Sequence, residues 1–237
     1  MSKRAGQKRA AWVVREQLAR ERRRRRAVWI SVIAVAVLAI GGVIGWGVYV
    51  SQRYGDYNVP PGATEDGSGI VAGSGPVTVD VYEDFLCPAC RLFEEQTGQT
   101  LDQLVAEGKA RVVYHPIAIL DRFSTTRYST RSAAASGCAA EGGKFREYAK
   151  ALFANQPPEG GAGLSDDELI NLGRTVGLGD DFASCVRDGK YESWAKHVTD
   201  AAGEQGVNAT PTIRVAGKDV RDRSPEGIRA AVEAAGR

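Results

Sequence analysis

Residues 84–90 read Asp-Phe-Leu-Cys-Pro-Ala-Cys, which places Cys87 and Cys90 three positions apart. Valines alternate with other residues over 77–81, a pattern that predicts a β-strand leading into this stretch. Apolar residues at helical spacing follow as far as Val105, which predicts a long helix. The two cysteines are therefore expected where a strand passes into the N-terminus of a helix.

A helix N-terminus suits a reactive cysteine, because its unpaired N–H groups and positive dipole end stabilise a thiolate. We expect Cys87 at the mouth of the helix, open to solvent, and Cys90 one turn later and more buried. Pro88 falls in the first turn, where a missing N–H costs nothing, and Pro88 and Ala89 together are predicted to support the active site. This arrangement predicts that Cys87 exchanges disulfides with substrate thiols and that Cys90 resolves the mixed disulfide.

Two other interpretations of the cysteine pair remain. A structural zinc site needs four ligands, yet Cys138 and Cys185 are 47 positions apart and form no second pair at zinc-binding spacing. His115 and His197 also stand alone in the sequence, and we interpret them as a hydrogen-bonded structural histidine and a helix-surface residue. The second alternative is a permanently closed structural disulfide. The C-x-x-C spacing favours a redox-active pair without a metal.

A second motif follows about 120 residues later, where residues 206–212 read Gly-Val-Asn-Ala-Thr-Pro-Thr. Pro211 stands at the entrance of a predicted strand, since proline cannot donate to a strand ladder. These residues, the C-x-x-C motif and the helical segment between them resemble the DsbA-like thiol:disulfide oxidoreductases of the thioredoxin superfamily. The resemblance covers about residues 68–237. It implies an α/β protein with the thioredoxin fold and an inserted all-helical subdomain.

The resemblance also implies roles for single residues. Pro211 corresponds to a cis-proline beside the active-site disulfide, a geometry that is accessible mainly before proline, and Thr210 offers its backbone to an extended substrate segment. Asp84 matches an acid three positions before the first cysteine and is interpreted as support for proton transfer, with a solvated loop acid as the alternative. The sequence departs from thioredoxin six positions before that cysteine, where Val81 stands in place of a buried carboxylate.

Hydrophobic periodicity and capping signals divide the rest of the body. Residues 110–119 predict a second strand. Several helices are predicted downstream, and Ser165 and Ser224 are expected to be N-caps of two of them. We expect the insertion to bury a small core of its own. The predicted partition is a thioredoxin-fold domain over 76–123 and 206–237 and a helical insertion over 124–205.

Cys138 and Cys185 both fall on predicted helices of the insertion. An even number of cysteines outside the cytoplasm favours pairing. We therefore predict a structural disulfide between them, which stabilises the fold by about 4 kcal/mol on the chain-entropy estimate. Two free buried thiols, or an internal relay that passes electrons to Cys87 and Cys90, are the alternatives.

Charge is distributed unevenly along the 237 residues. The net charge is +2, but residues 1–53 carry 12 Lys and Arg against 2 Asp and Glu, so the body that follows has a formal charge of −8. An acidic body binds phosphate poorly, which excludes a nucleic-acid-binding function. The uncharged stretch 27–50 has 24 residues and is long enough to span a bilayer.

The basic residues before this stretch determine the expected topology. Residues 1–26 are predicted to be a basic cytoplasmic segment, 27–50 a single transmembrane helix, and the body extracytoplasmic, because basic residues stay on the cytoplasmic side. A cleaved secretory signal is the alternative, although the apolar run is long and no small-x-small site follows it. Residues 51–75 are rich in glycine and proline and are expected to be a flexible linker, with a short edge strand at Ile70 and Val71.

Together these features predict an extracytoplasmic, membrane-anchored enzyme that donates disulfides to unfolded or reduced exported proteins. The resemblance implies reoxidation by a quinone-linked membrane partner of the DsbB or vitamin K epoxide reductase type. It implies no cofactor for the chain itself. A disulfide reductase or isomerase of the same fold is one alternative, and a non-catalytic, membrane-tethered binding domain with an inert disulfide is another.

Overall fold

The computed structural model describes residues 57–237 of the chain. Four residues upstream are also described, all of them helical: Trp29, Leu38, Gly41 and Gly42. The basic segment 1–26 lies outside the described residues, and so does nearly all of the transmembrane helix predicted over 27–50. Among the residues that are described, none belongs to a helix with the length and apolar character needed to cross a bilayer.

A mixed sheet lies at the centre of residues 57–237. Its strands are β1 (Ile70–Ala72), β2 (Val77–Glu83), β3 (Ala110–Pro116), β4 (Thr212–Val215) and β5 (Lys218–Asp219). The strand order is β1-β3-β2-β4-β5. β2 and β3 are parallel, and the other neighbouring pairs are antiparallel. Val79 and Val81 are completely buried, so the predicted strand before the C-x-x-C motif is confirmed as a central strand.

Seven α-helices and one 3-10 turn at Asp121–Phe123 complete this part of the chain. The helices are α1 (Pro88–Ala106), α2 (Tyr128–Glu141), α3 (Phe145–Ala154), α4 (Asp166–Thr175), α5 (Asp180–Arg187), α6 (Glu192–Glu204) and α7 (Pro225–Ala235). α1 and α7 contact each other beside the sheet, and α6 contacts β3. The predicted thioredoxin fold with a helical insertion between β3 and β4 is therefore present.

Helix α2 occupies the middle of the insertion, where it contacts α3, α4, α5 and α6. Most of its residues are alanine, serine, threonine or glycine, so neighbouring helices can approach its backbone closely. A methyl group on Gly137 would lie 3.0 Å from the Tyr191 side chain and 3.1 Å from the Trp194 ring. The small residues of α2 thus make room for the two large aromatic side chains that pack on it.

The capping signals of the sequence are confirmed at both predicted serines. The Ser165 hydroxyl accepts a hydrogen bond from the Glu168 backbone N–H, and the Glu168 carboxylate accepts one from the Ser165 N–H. This reciprocal pair is a capping box, which satisfies two donors at the start of α4. The Ser224 hydroxyl likewise accepts a hydrogen bond from the Gly227 N–H at the start of α7.

The expectation that the insertion has its own core is wrong. One continuous hydrophobic cluster contains Val79 of β2 and Leu101 of α1 together with Tyr148 of α3 and Leu169 of α4. The hydrophobic interiors of the insertion and of the thioredoxin-fold domain are continuous because α3 packs against α1 and α6 packs against β3. A displacement of the insertion is therefore expected to disturb the packing of the sheet and of α1.

The predicted flexible linker over 51–75 is also wrong for residues 57–75, which belong to the folded body. β1 pairs with β3, and the Trp194 indole N–H donates to the Gly67 carbonyl at 2.7 Å. Glycine here serves close packing rather than flexibility, because a Cβ on Gly69 would lie 2.8 Å from the Tyr114 carbonyl oxygen. The short edge strand expected at Ile70 and Val71 is confirmed. Residues 51–56 lie outside the described residues.

Candidate active site

The C-x-x-C motif lies at the start of α1, as the sequence predicts. Cys87 is the N-cap, with extended backbone angles of φ −78° and ψ 116°, and Pro88 is the first helical residue. The Cys87 carbonyl accepts hydrogen bonds from the N–H groups of Cys90 and Arg91 at 3.0 and 3.1 Å. These are the first bonds of the helix, and the N–H groups of Ala89 and Cys90 in its first turn also act on the Cys87 sulfur.

The two cysteines differ in burial, but less than the sequence suggests. Cys90 is 1% exposed and Cys87 is 6% exposed, so the expectation that Cys87 is open to solvent is wrong. Pro88 and Ala89 between them are exposed. A partner molecule that reaches the Cys87 sulfur must therefore contact the Pro88-Ala89 dipeptide, which is the role expected of those two residues.

Hydrogen bonding and burial separate the acidities of the two thiols. A hydrogen bond from the Cys90 thiol, with further help from the Thr210 side chain and the N–H groups of Cys90 and Ala89, lowers the pKa of Cys87 to about 6. Burial raises the pKa of Cys90 well above its usual value. At neutral pH the reduced site therefore holds one thiolate, on Cys87, and one thiol, on Cys90.

The second motif, residues 206–212, contacts the C-x-x-C motif at the Cys87 sulfur. The Thr210–Pro211 peptide bond is cis, as the family resemblance implied. When it is protonated, the Cys87 thiol donates a hydrogen bond to the Thr210 carbonyl, with 3.4 Å between sulfur and oxygen. The register of the sheet brings the two together, because β4 begins at Thr212 opposite Tyr82 near the end of β2.

Asp84 is buried in the loop between β2 and α1, which excludes the alternative of a solvated loop acid. One of its carboxylate oxygens accepts a hydrogen bond from the Leu86 N–H and the other accepts one from the Leu120 N–H, both at 2.9 Å. Its own carbonyl accepts a hydrogen bond from the Cys87 N–H. Burial raises the pKa of Asp84 to about 7. The geometry shows that Asp84 fixes the loop that carries Cys87.

Glu83 is a second acidic residue near the cysteines, and its burial is not fixed by the sequence alone. Its side chain is 1% exposed, and its Oε1 atom has no hydrogen-bond partner within residues 57–237. Burial, and then the negative charge of Glu94, raises the pKa of Glu83 to about 8. The charge of Glu83 in turn contributes to the raised pKa of Cys90. The alternation of buried residues along β2, continued two positions beyond Val81, would have indicated this burial.

The positions of both histidines agree with the interpretations made from the sequence. His115 donates from Nδ1 to the Ser68 carbonyl at 2.7 Å, and its Nε2 lies 3.1 Å from an Asp80 carboxylate oxygen. Its ring also stacks on Tyr82, so it is a structural histidine. His197 lies on α6, donates to the Asp66 carbonyl at 2.9 Å and stacks on Tyr57.

Cys138 of α2 and Cys185 of α5 are joined by a disulfide bond, with 5.9 Å between their Cα atoms. Cys87 and Cys90 are free thiols. A cavity of about 540 Å³ lies beside the Cys138–Cys185 disulfide and is lined by Glu141, Phe182 and Lys190 among others. Neither Cys87 nor Cys90 lines it. Within the described part of the chain, no group of three or more His, Cys, Asp or Glu side chains is arranged to hold a metal ion.

The fold and this site define a thioredoxin-fold protein with a dithiol centre at the start of a helix. Residues 66–234 match the family model described as Thioredoxin. The structure is similar to that of reduced DsbG from Mycobacterium tuberculosis, with 34% sequence identity and a TM-score of 0.64, covering 71% of this chain and 88% of that one. Reduced DsbA from the same organism gives 34% identity and a TM-score of 0.63, covering 70% and 91%. The chain belongs to this thioredoxin family, among its DsbA-like thiol:disulfide oxidoreductases.

Two further relatives extend the comparison. MdbA, a thiol-disulfide oxidoreductase from Actinomyces oris, is only 18% identical and shares the fold, with a TM-score of 0.62 over 77% of this chain and 94% of its own. The serine/threonine-protein kinase PknE of Mycobacterium tuberculosis is 35% identical over 155 residues, which are 61% of this chain and 27% of the kinase. The chain thus spans about a quarter of the length of that curated relative.

Proposed function

We propose that this protein is an extracytoplasmic thiol:disulfide oxidase that donates the Cys87–Cys90 disulfide to exported proteins. The observation that carries this proposal is the pKa of Cys87, lowered to about 6 beside a Cys90 thiol whose pKa is raised. A stabilised thiolate favours the reduced form of the enzyme, and a pair whose reduced form is favoured is a strong oxidant. This difference between the two thiols supports transfer of the disulfide from the enzyme to the client.

The reaction begins with Cys87 and Cys90 joined as a disulfide. A client thiolate attacks the Cys87 sulfur, so that a bond forms between the client and Cys87 and the bond to Cys90 breaks. Cys90 leaves as a thiolate and takes up one proton, because its pKa is high. Glu83 is protonated at neutral pH, since its pKa is about 8, and it is the buried acid whose charge acts on Cys90. We therefore assign this proton to Glu83.

A second client thiolate then attacks the client sulfur of the mixed disulfide. The client acquires a disulfide bond, and Cys87 leaves as a thiolate. Its low pKa makes Cys87 a good leaving group, because leaving ability rises as the thiol pKa falls. The enzyme ends as a dithiol and has accepted two electrons, which a reoxidant must remove before the next cycle.

The surface around Cys87 fits an extended, unfolded client better than a small molecule. Pro88 and Ala89 are exposed, and Leu92 on the next turn of α1 is 52% exposed. Ala209, beside the cis-proline, is exposed as well. An unfolded chain can place its cysteine beside these exposed apolar residues, which supports unfolded or reduced exported proteins as clients.

The Cys138–Cys185 disulfide supports a location outside the cytoplasm, because disulfides persist in oxidising compartments. We propose that residues 27–50 anchor the chain as a single-pass membrane helix, with residues 1–26 in the cytoplasm, on the basis of their composition and charge. An anchored dithiol lies close to enzymes of the same membrane. We propose a quinone-linked membrane protein of the DsbB or vitamin K epoxide reductase type as its reoxidant.

The test uses the full-length oxidised protein and a reduced, unfolded client that carries two cysteines. We expect wild type to form the client disulfide and Cys87→Ala to be inactive. When Cys90→Ala is mixed instead with the oxidised client, the Cys87 thiolate should attack the client disulfide, so that a mixed disulfide forms at Cys87 and one client thiolate is released. Preferential reduction of client disulfides by the wild-type dithiol would instead indicate a reductase. Unchanged client oxidation by Cys87→Ala would exclude this site as the catalytic centre.

A further inference from the structure

Gln156 is a polar side chain of the helical insertion that reaches the active-site turn. This residue lies two positions beyond Ala154, the last residue of α3, and is partly buried. Its side-chain Nε2 donates to the Phe85 carbonyl and to the Cys87 carbonyl, both at 3.0 Å. One amide group from the insertion therefore holds the backbone on both sides of Leu86, immediately before the first turn of α1.

The second of these carbonyls controls where the reactive sulfur lies. The Cys87 carbonyl also accepts the first two hydrogen bonds of α1, from Cys90 and Arg91. Because it belongs to the N-cap residue, its direction sets the orientation of the Cys87 backbone relative to the helix axis. That orientation places the Cys87 sulfur against Thr210 and next to the Cys90 thiol.

The hydrogen bonds of Gln156 also act on the charge at the site. A carbonyl oxygen carries a partial negative charge, which disfavours a nearby thiolate. The neutral side-chain amide of Gln156 donates its N–H groups to the Phe85 and Cys87 carbonyls. These hydrogen bonds offset the partial negative charge of the two carbonyl oxygens. Gln156 thus favours the thiolate of Cys87 in two ways, by holding the turn in place and by compensating its carbonyl groups.

We propose that Gln156 is a positioning residue, which couples the helical insertion to the acidity and reactivity of Cys87. The inference rests on the proposed function only in its consequence for client exchange. Its consequence for Cys87 acidity is independent of any client. The neighbouring Asn155 provides a contrast, because its side-chain amide donates to the Ala151 carbonyl within its own helix and reaches no active-site group.

The experiment compares full-length wild type with Gln156→Ala, with Gln156→Met, which keeps the length of the side chain without its donors, and with Asn155→Ala as the matched control. For each reduced protein, the alkylation rate of Cys87 is measured against pH, with peptide mapping to identify the cysteine. We expect both Gln156 variants to shift the midpoint upward, so that the fraction of thiolate at pH 6 falls about two- to sevenfold, the size of effect of a lost hydrogen bond. Asn155→Ala should match wild type.

Client exchange is then measured on the same four proteins. A midpoint unchanged in Gln156→Met overturns the proposal, whatever the client assay gives. A raised midpoint together with wild-type client oxidation rates would restrict the role of Gln156 to acidity and would overturn its coupling to exchange. If wild type itself oxidises no client, the proposed function fails, while the alkylation profiles still decide the role of Gln156. Should Gln156→Ala unfold, Gln156→Met carries the test.

Discussion

At the scale of single residues, the site depends on a separation of proton affinities among four neighbouring groups. Cys87 has a pKa of about 6, Asp84 about 7 and Glu83 about 8, and the pKa of Cys90 is higher than usual. Near pH 7 the Cys87 sulfur, which exchanges with substrate, is thus the most acidic of the four groups. The buried carboxyl of Glu83 still holds its proton. This order suits the two steps of disulfide donation.

Glu83 gives a prediction about stability as well as catalysis. Its pKa is about 8 in the folded protein, against an ordinary value of 4.5. Since the folded-state pKa is raised, its contribution to stability is fully present below about pH 4.5 and is lost as the pH rises to about 8. Gln is neutral at every pH, so Glu83→Gln should exceed wild type in unfolding free energy by up to about 3 kcal/mol at pH 7 and equal it near pH 4.

Chemical denaturation at both pH values measures this difference. Glu65→Gln, which alters an exposed acid of the same type, is the matched control and should show no such pH dependence. We also expect Glu83→Gln to release Cys90 more slowly from the disulfide, because the proton that we assign to Glu83 is missing. Equal unfolding free energies of Glu83→Gln and wild type at pH 7 would contradict a buried Glu83 with a raised pKa.

The family resemblance indicated the cis-proline at Pro211, and the sequence was sufficient to predict a redox pair at Cys87 and Cys90, because that chemistry depends on residue type and on spacing along the chain. It was not sufficient for Gln156, whose role depends on the tertiary contact that brings the end of α3 to the active-site turn. Glu83 is intermediate, since strand alternation indicates its burial but not its closeness to Cys90.

At the scale of elements, a largely buried cation helps to attach the insertion to the helix that carries the cysteines. Arg146 of α3 makes a paired contact with Glu94 and another with Asp102, both on α1. Its guanidinium also lies over the Tyr114 ring of β3. The Glu94 side chain is only 9% exposed, so removal of Arg146 would leave a nearly buried carboxylate without its countercharge.

We expect Arg146→Ala to destabilise the protein by about 3 kcal/mol, because breaking a buried pair by removing one partner costs about 3–5 kcal/mol and this cation is slightly exposed. Lys150→Ala removes a more exposed cation from the same Asp102 and should cost less than about 1 kcal/mol. Denaturant unfolding of the two variants makes the comparison. Similar losses for both would show that the contact with Glu94 is not the stabilising one.

The disulfide between α2 and α5 provides a second prediction at this scale. Replacing both Cys138 and Cys185 with alanine should lower the unfolding free energy by about 4 kcal/mol, the chain-entropy value for a loop of this length. The alkylation midpoint of Cys87 should stay where it is in wild type. If the double variant lost client oxidation while it remained folded, the alternative of an electron relay through this pair would be favoured.

Helical elements were predicted well, and the N-caps expected at Ser165 and Ser224 are confirmed, because capping residues and apolar periodicity are local signals. The folded structure of residues 57–75 was not predicted, since glycine and proline allow flexible chains and tight packing equally. Gly69 shows the reason: its lack of a side chain permits a close approach to the backbone of β3, a partner that lies about 45 residues away in sequence.

At the scale of the whole molecule, one hydrophobic core joins the sheet, α1 and the insertion. The structure therefore connects the reactive turn with a helical layer that lies far away in sequence. The exposed surface at Ala89, Leu92 and Ala209 is where we propose that clients bind. In the proposed topology, residues 27–50 keep this surface outside the membrane and within reach of a membrane-bound reoxidant.

The proposed direction of electron flow predicts the redox potential of the full-length protein. We expect the Cys87–Cys90 potential to be clearly less negative than that of thioredoxin, roughly −270 mV, because the thiolate on Cys87 stabilises the reduced form. Equilibration with glutathione buffers of known ratio measures it. A potential equal to that of thioredoxin would exclude an oxidase and would indicate a reductase.

The central claim is that Cys87 is a thiolate at neutral pH while Cys90 remains a thiol, and the most direct test is the alkylation of the reduced, full-length protein as a function of pH. With each cysteine identified by peptide mapping, we predict a midpoint at about pH 6 for Cys87 and no reaction of Cys90 across the neutral range. A Cys87 midpoint at about pH 8.5, the value of an ordinary cysteine, would contradict the account.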